Sequence, residues 1–217
     1  MSTIIKYTNT NGENITSQQL SNVKDYDKKL YIDGVLKRVE TYFDGELNYG
    51  TYYLSLDEDK QGIVSEFSTI WRDVEIYFNT LTFGDFTSKD WEVYRDASIV
   101  LKGKTIFDNQ NREVARQIVD VNSLEVKSTE KTFYLTSYGS FTNEDDIPRF
   151  GEFNFYYNAD STEIKVHINL PDYEFGDYII SSNQDIFDDP WISPLFEWID
   201  HPYYHNALPL IPDNSTV

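Results

Sequence analysis

A mainly β, antiparallel fold is predicted for this chain by three observations: period-two alternation of apolar and polar residues, turn signals at regular intervals, and scarce helical patterning. Val74, Ile76 and Phe78 alternate with Asp73, Glu75 and Tyr77. Phe153, Phe155 and Tyr157 alternate with Asn154 and Tyr156, and Ile164, Val166, Ile168 and Leu170 alternate with Lys165, His167 and Asn169. Successive side chains of a strand point to opposite faces, so each run has one buried and one wetter face. Strands spaced this way, without crossover helices between them, imply a meander, a sandwich or an open barrel of hairpins rather than a parallel α/β sheet.

The elements follow in order. Residues 15 to 24 suit a short turn. Residues 31 to 56 place Asp-Gly twice, at Asp33-Gly34 and Asp44-Gly45, between runs rich in Tyr, Val, Leu and Thr. Asp-Gly supplies the positive φ angles of a tight hairpin, so three strands joined by two tight turns are expected. Ser98 to Phe107 should pair with Glu113 to Val121 around Asp108-Asn109-Gln110-Asn111, followed by a strand region at Leu124 to Tyr138 with Val126, Phe133 and Leu135 inward. Residues 152 to 170, joined by Asn158 to Thr162, form the clearest hairpin. The best helix candidate is Ser193 to Ile199: Ser193 can cap it, Pro194 suits its first turn and Pro202 ends it. The expected organisation is an antiparallel β domain over residues 1 to 182, with an aromatic, proline-rich extension over 183 to 217 packed on it.

The two Asp-Gly stretches are related. Aligned on their turns they match at Tyr31/Tyr42, Asp33/Asp44, Gly34/Gly45 and Leu36/Leu47, and a degenerate third copy is read from Leu56 to Lys60. On residues 31 to 60 the chain resembles the MORN-like β-hairpin repeats of YwqK-family antitoxins, in which aromatic-x-Asp-Gly-x-Leu units recur along a sheet. Phe107 to Val114 similarly resembles a degenerate tyrosine-aspartate repeat unit. The resemblance implies a sheet of hairpins and an antitoxin-like binding role, and it carries over no catalytic residue.

Composition narrows the function classes. The 217 residues contain no cysteine, which excludes disulfides, thiolate metal sites and cysteine nucleophiles. Aromatic residues make up 16%, too many for a chain that builds no core. The N-terminus lacks the pattern of a signal peptide and no run is apolar enough for a membrane span, so a cytoplasmic protein is expected. Thirty-seven acidic against 18 basic side chains give a formal net charge of −19. A field of that sign repels nucleic acid and anionic lipid and speeds encounter with a basic partner. The acid is dispersed, with small clusters at Asp57-Glu58-Asp59, Glu144-Asp145-Asp146 and Asp188-Asp189.

Signatures of catalysis are absent: there is no Gly-x-Ser-x-Gly elbow, phosphate-binding glycine loop or His-Glu-x-x-His. Residues 56 to 62 lack the ligand spacing of a calcium loop. His201 and His205 lie four apart beside Asp200, but Pro202 between them disfavours the helix that would align both rings on a metal. No metal or cofactor is therefore expected. The segment 185 to 213 is too apolar to hang free, so it either covers a face of the sheet or docks a partner.

The expected function is a non-enzymatic acidic binding protein, an immunity- or antitoxin-like inhibitor that covers a basic site of a toxin, with a nuclease as one candidate. Asp57, Glu58, Asp59, Asp188 and Asp189 would steer the partner, and Trp191, Trp198, Tyr203 and Tyr204 would anchor it. Two alternatives stand beside this reading. One is a carbohydrate-binding or carbohydrate-cleaving β domain, which needs a concave aromatic groove with two facing carboxylates. The other is a structural or phage-encoded acidic decoy of nucleic acid. The oligomeric state is not specified by the sequence.

Overall fold

Two-residue turns with positive φ set the pattern of the first strands. The computed structural model describes residues 2–9, 14–135, 141–142, 148–149, 151–170, 173–179, 187–188, 190 and 192–212. The strands are β1 (Thr3–Asn9), β2 (Asn14–Ile15), β3 (Tyr26–Ile32), β4 (Val35–Phe43) and β5 (Glu46–Tyr53). After the helix α1 (Lys60–Phe67) come β6 (Asp73–Phe83), β7 (Phe86–Arg95), β8 (Ser98–Phe107), β9 (Glu113–Val119) and β10 (Val126–Tyr134). The last are β11 (Phe141–Thr142), β12 (Pro148–Arg149), β13 (Glu152–Asn158), β14 (Ile164–Leu170) and β15 (Tyr173–Ile179). Hydrogen-bonded neighbours follow the order β15-β14-β13-β10-β9-β8-β7-β6-β5-β4-β3-β1-β2, with β11 and β12 forming a separate pair.

Asp33 and Gly34 take φ 48° and 81°, and Asp44 and Gly45 take 51° and 81°, as the Asp-Gly pairs require. The aligned sequence copies also share a register shift, at Leu30/Tyr31 before the first turn and at Thr41/Tyr42 before the second. The turn between β7 and β8 has the same geometry without glycine: Asp96 and Ala97 take φ 48° and 59°. Left-handed backbone costs a residue with a Cβ roughly 1–2 kcal/mol, partly offset by the larger unfolded-state entropy of glycine. Ala97→Gly is therefore expected to stabilise the protein by about 0.5–1 kcal/mol. A urea-denaturation midpoint that does not rise would refute that estimate.

The chain forms two compact units: Met1–Leu81 with Lys89–Lys102, and Thr82–Ser88 with Gly103–Val217. In the first unit, the antiparallel expectation meets one exception. β5 and β6 pair in parallel, with Tyr49 opposite Asp73 and Tyr53 opposite Tyr77, and α1 makes the crossover that a parallel pair needs. Residues 56 to 60, read as a third repeat copy, are instead the loop and cap that open this helix. The Asp59 side chain accepts a hydrogen bond from the Gln61 N–H at 3.1 Å. Val64 and Phe67 point inward, where Phe67 stacks on Trp71 at 4.2 Å between ring centres. Beneath Trp71 lies Gly50, which sits between Glu40 of β4 and Val74 of β6; a Cβ there would stand 2.1 Å from the Trp71 ring. Val74, Ile76 and Tyr94 complete the core.

In the second unit, the hairpin β13–β14 turns Phe153, Phe155, Val166 and Ile168 inward. Leu135 is buried and Phe133 packs against the same core, but Val126, expected inward, is 36% exposed. A register shift between Val126 and Ser128 interrupts the β9–β10 pairing at the start of the strand, and a one-residue shift reverses the face a side chain meets. The sheet core is covered by Phe187, Ile192, Phe196, Tyr203 and Tyr204 from the C-terminal segment.

The short C-terminal helix expected from Ser193 to Ile199 takes the form of a turn and short 3-10 segments that start later in the chain. Residues 192–195 make a turn, followed by 3-10 segments at Trp198–Asp200 and Pro202–His205, the second opened by Pro202. Phe187, Phe196, Trp198, Tyr203 and Tyr204 must all reach the core from a short span, and the tighter, irregular path aims more of them inward than one stripe of an α-helix would. The segment is fastened by polar bonds. The buried Lys131 ammonium donates to the carbonyls of Tyr203 and Asn206 at 2.7 and 2.8 Å, and lies 3.7 Å from the centre of the Tyr203 ring. The Tyr157 hydroxyl donates to the Tyr204 carbonyl, and the Tyr204 hydroxyl to the Thr132 carbonyl.

Candidate functional site

The first candidate surface is the loop between β5 and α1 in the first unit. Glu58 accepts hydrogen bonds from the Ser55 N–H at 2.6 Å, the Lys37 ammonium at 2.7 Å and the Tyr52 hydroxyl at 2.8 Å. Burial opposes ionisation of Glu58, but these donors outweigh it and hold the carboxyl below its usual range. Burial, and then the bond to Glu58, push the Tyr52 hydroxyl well above its ordinary value. Glu58 is thus committed to holding the loop, while its neighbours Asp57 and Asp59 are exposed, Asp59 with one oxygen capping α1. Between them and Ser55, Leu56 is fully exposed at 101%. The loop walls a cleft of about 580 Å³ with Lys60, Phe78 and Asn79. Lys60 is held there by Glu92 at 2.6 Å and by the Phe78 ring at 4.1 Å.

Other acids of this unit are also neutralised within it. Glu40 is buried beside Lys28 and Arg38, and Asp73 receives a bidentate pair from Arg95. The charge available to a partner is therefore smaller than the count of acids, and most of the excess acid belongs to the second unit.

The C-terminal site residues divide. Asp188 is exposed, while Asp189 and Trp191 lie outside the described residues. Trp198 is half-buried, stacked between Phe187 at 5.4 Å and His205 at 4.2 Å. Tyr203 and Tyr204 are interior residues, where they fill the core and anchor the segment rather than present themselves to a partner. The two histidines part as well. His205 Nε2 lies 2.7 Å from the Trp198 carbonyl, and His201 stacks on Phe196. Among the described residues no group of three or more His, Asp or Glu side chains is placed to hold a metal ion.

A second cleft was not foreseen from the sequence. It occupies about 460 Å³ in the second unit and is lined by Asp85, Phe86, Asp108, Arg112, Phe133, Tyr134 and His201, among others. Asp85 follows Gly84 (φ 56°) in the tight turn between β6 and β7. Asp108 opens the β8–β9 loop, accepting from the N–H groups of Gln110 and Arg112 at 2.9 and 2.8 Å. Its other oxygen takes Nε and Nη2 of Arg112, both at 2.7 Å, and the guanidinium lies 4.5 Å from the centre of the Tyr134 ring. Burial raises the Tyr134 hydroxyl strongly, and it donates to the Glu113 carbonyl. Burial lowers His201 against the pull of Asp200 and Glu197, so its ring is neutral at pH 7. The sequence signals were the Asp108/Arg112 spacing and the Gly84-Asp85 turn, which only the fold brings to one cavity.

No protein-family model, curated protein or solved structure matches the chain. The site is therefore read from its own chemistry. No helix among the described residues is long and apolar enough to cross a membrane.

Proposed function

We propose that the chain is a non-enzymatic acidic binding protein, an immunity- or antitoxin-like inhibitor that covers a basic site of a toxin, for which a nuclease is one candidate. The observation that carries the reading is the fully exposed Leu56, flanked by exposed Asp57 and Asp59 on a loop that Glu58 pins, in a chain of net charge −19. An apolar tip held in place loses little entropy on docking, and carboxylates around it favour a cationic rim. Asp188 adds to the field, and Trp198 offers a partly accessible ring.

The test is to isolate the partner by affinity capture from the native cell and measure its association rate at two ionic strengths. Electrostatic steering predicts a fall of roughly tenfold or more between about 20 and 150 mM salt. An association rate indifferent to salt would remove the mechanism. The carbohydrate reading draws on the aromatic walls of the second cleft, yet Arg112 and two backbone N–H groups occupy Asp108, leaving Asp85 without the facing carboxylate that glycoside cleavage uses.

A further inference from the structure

We infer that the cleft of the second unit is a receptor for a single organic cation, a guanidinium or ammonium group, which Asp85 pairs at the mouth and the aromatic walls enclose. Cavities of roughly 300–1,000 Å³ with apolar walls and a few polar groups are the usual form of a ligand site, and this one holds about 460 Å³. Its walls include Phe86, Phe133 and Tyr134, and aromatic rings attract cations, as Tyr134 already does the Arg112 guanidinium 4.5 Å from its centre.

The sign of the ligand follows from the charges that line the cavity. Arg112 is the basic side chain of the lining, and its Nε and Nη2 are both committed to Asp108 while its plane lies over Tyr134. That pair is neutral as a unit, so it attracts an anion far less than a free guanidinium would. His201 is held neutral by burial. Asp85 remains as the uncompensated charge: it is exposed, and no described residue is bonded to it. An anion would face Asp85 with only an already paired guanidinium to meet it, whereas an organic cation would meet a carboxylate between aromatic walls.

The inference rests on the reading of the chain as a binder of a basic partner, and gives that reading a pocket for one arginine or lysine side chain. The same chemistry could come from a free amine, so the probes separate the sources. They are N-acetyl-arginine amide, its neutral citrulline counterpart, and the peptide Gly-Gly-Arg-Gly-Gly, each titrated into the full chain by calorimetry and by NMR shifts. Saturable one-site binding of the arginine amide, with no citrulline binding, is expected. Binding of the peptide as tightly or more tightly points to a protein as the source; binding of the amide alone points to a free amine, and the cation site stands in both cases.

Asp85→Asn keeps the size and turn preference of the side chain and removes its charge, so the dissociation constant should rise roughly tenfold or more. Asp160→Asn, at an exposed position in the β13–β14 turn, makes the same change of net charge elsewhere in the unit and should alter it less than about twofold, as expected of a screened surface charge. Equal effects of the two substitutions, citrulline binding as tight as arginine, or no saturation would overturn the cleft. None of these results touches the salt dependence of partner association, so the two ideas fail separately.

Discussion

Gly50→Ala is expected to destabilise the first unit by about 3 kcal/mol or more, at the upper end of what overpacking a core costs. The new Cβ would fall 2.1 Å from Trp71 Cδ2, with Cε3 and Cε2 almost as close. The indole cannot swing aside cheaply, because Phe67 stacks on it and the ring is 2% exposed. Nor can the backbone retreat, since position 50 is paired on both sides, with Glu40 and Val74. Urea denaturation read at a probe of the first unit gives the cost. Trp71→Phe, with its smaller ring, should recover part of the loss in the double variant, because residues in contact couple. A single substitution costing under about 1 kcal/mol would mean that Trp71 does not rest on Gly50 as described.

Lys131→Ala is the second large effect, expected to cost about 3–5 kcal/mol. The change leaves a cavity and strips the donors from the Tyr203 and Asn206 carbonyls that fasten the C-terminal segment. Lys131→Met keeps most of the packing and should cost less. The pH dependence separates charge from shape. Burial pulls the Lys131 ammonium down to about 7, against the two carbonyls and the Tyr203 ring, which favour the charged form. In the unfolded chain the ordinary value is 10.5. Between about pH 7 and 10 the unfolded state therefore holds the extra proton, and stability rises with pH by up to about 1.4 kcal/mol per unit from this residue. Below pH 7 both states are charged and the full cost of burying the ion is present.

Tyr157, Tyr203 and Tyr204 act oppositely. Burial raises all three, so above about pH 10 the unfolded chain loses their protons first and stability falls. Wild type minus Lys131→Met should thus climb from pH 7 to 10, while the alkaline decline persists in both. A flat difference would show that the buried amine keeps its proton throughout this range.

What could be read in the sequence was what short range determines. Asp33-Gly34 and Asp44-Gly45 carry their turn geometry within two residues, and the alternation in 153 to 157 and 164 to 170 needs no distant partner to specify its inward face. The eight-residue α1 was hidden because Gly62, Ile63 and Val64 are poor helix formers. Its signals were the capping Asp59 and the spacing of Ile63, Val64 and Phe67. Gly62 is itself explained by the cap, since a Cβ there would stand 2.8 Å from Asp59 Oδ2. Gly50 reads locally as a weak point in a tyrosine-rich strand, and its purpose depends on a tryptophan beyond the helix. Lys131 reads as a polar strand residue because the carbonyls it serves lie in the last turns of the chain. Tyr203 and Tyr204 were legible as too apolar to hang free, but not as interior; that follows from which face of β10 and β13 was left to cover.

The parallel pair β5/β6 gives the first unit a mixed folding order. Hairpins such as β3–β4–β5 close by zipping outward from turns that the chain prefers before any tertiary contact forms. β6 cannot join by that route: its partner edge comes within reach once the intervening loop, α1 and Trp71 have been gathered over Gly50, a closure whose entropy is lost before any pairing returns it. The crossover thus separates a fast local stage of assembly from a slower one in which helix, indole and strand must arrive together.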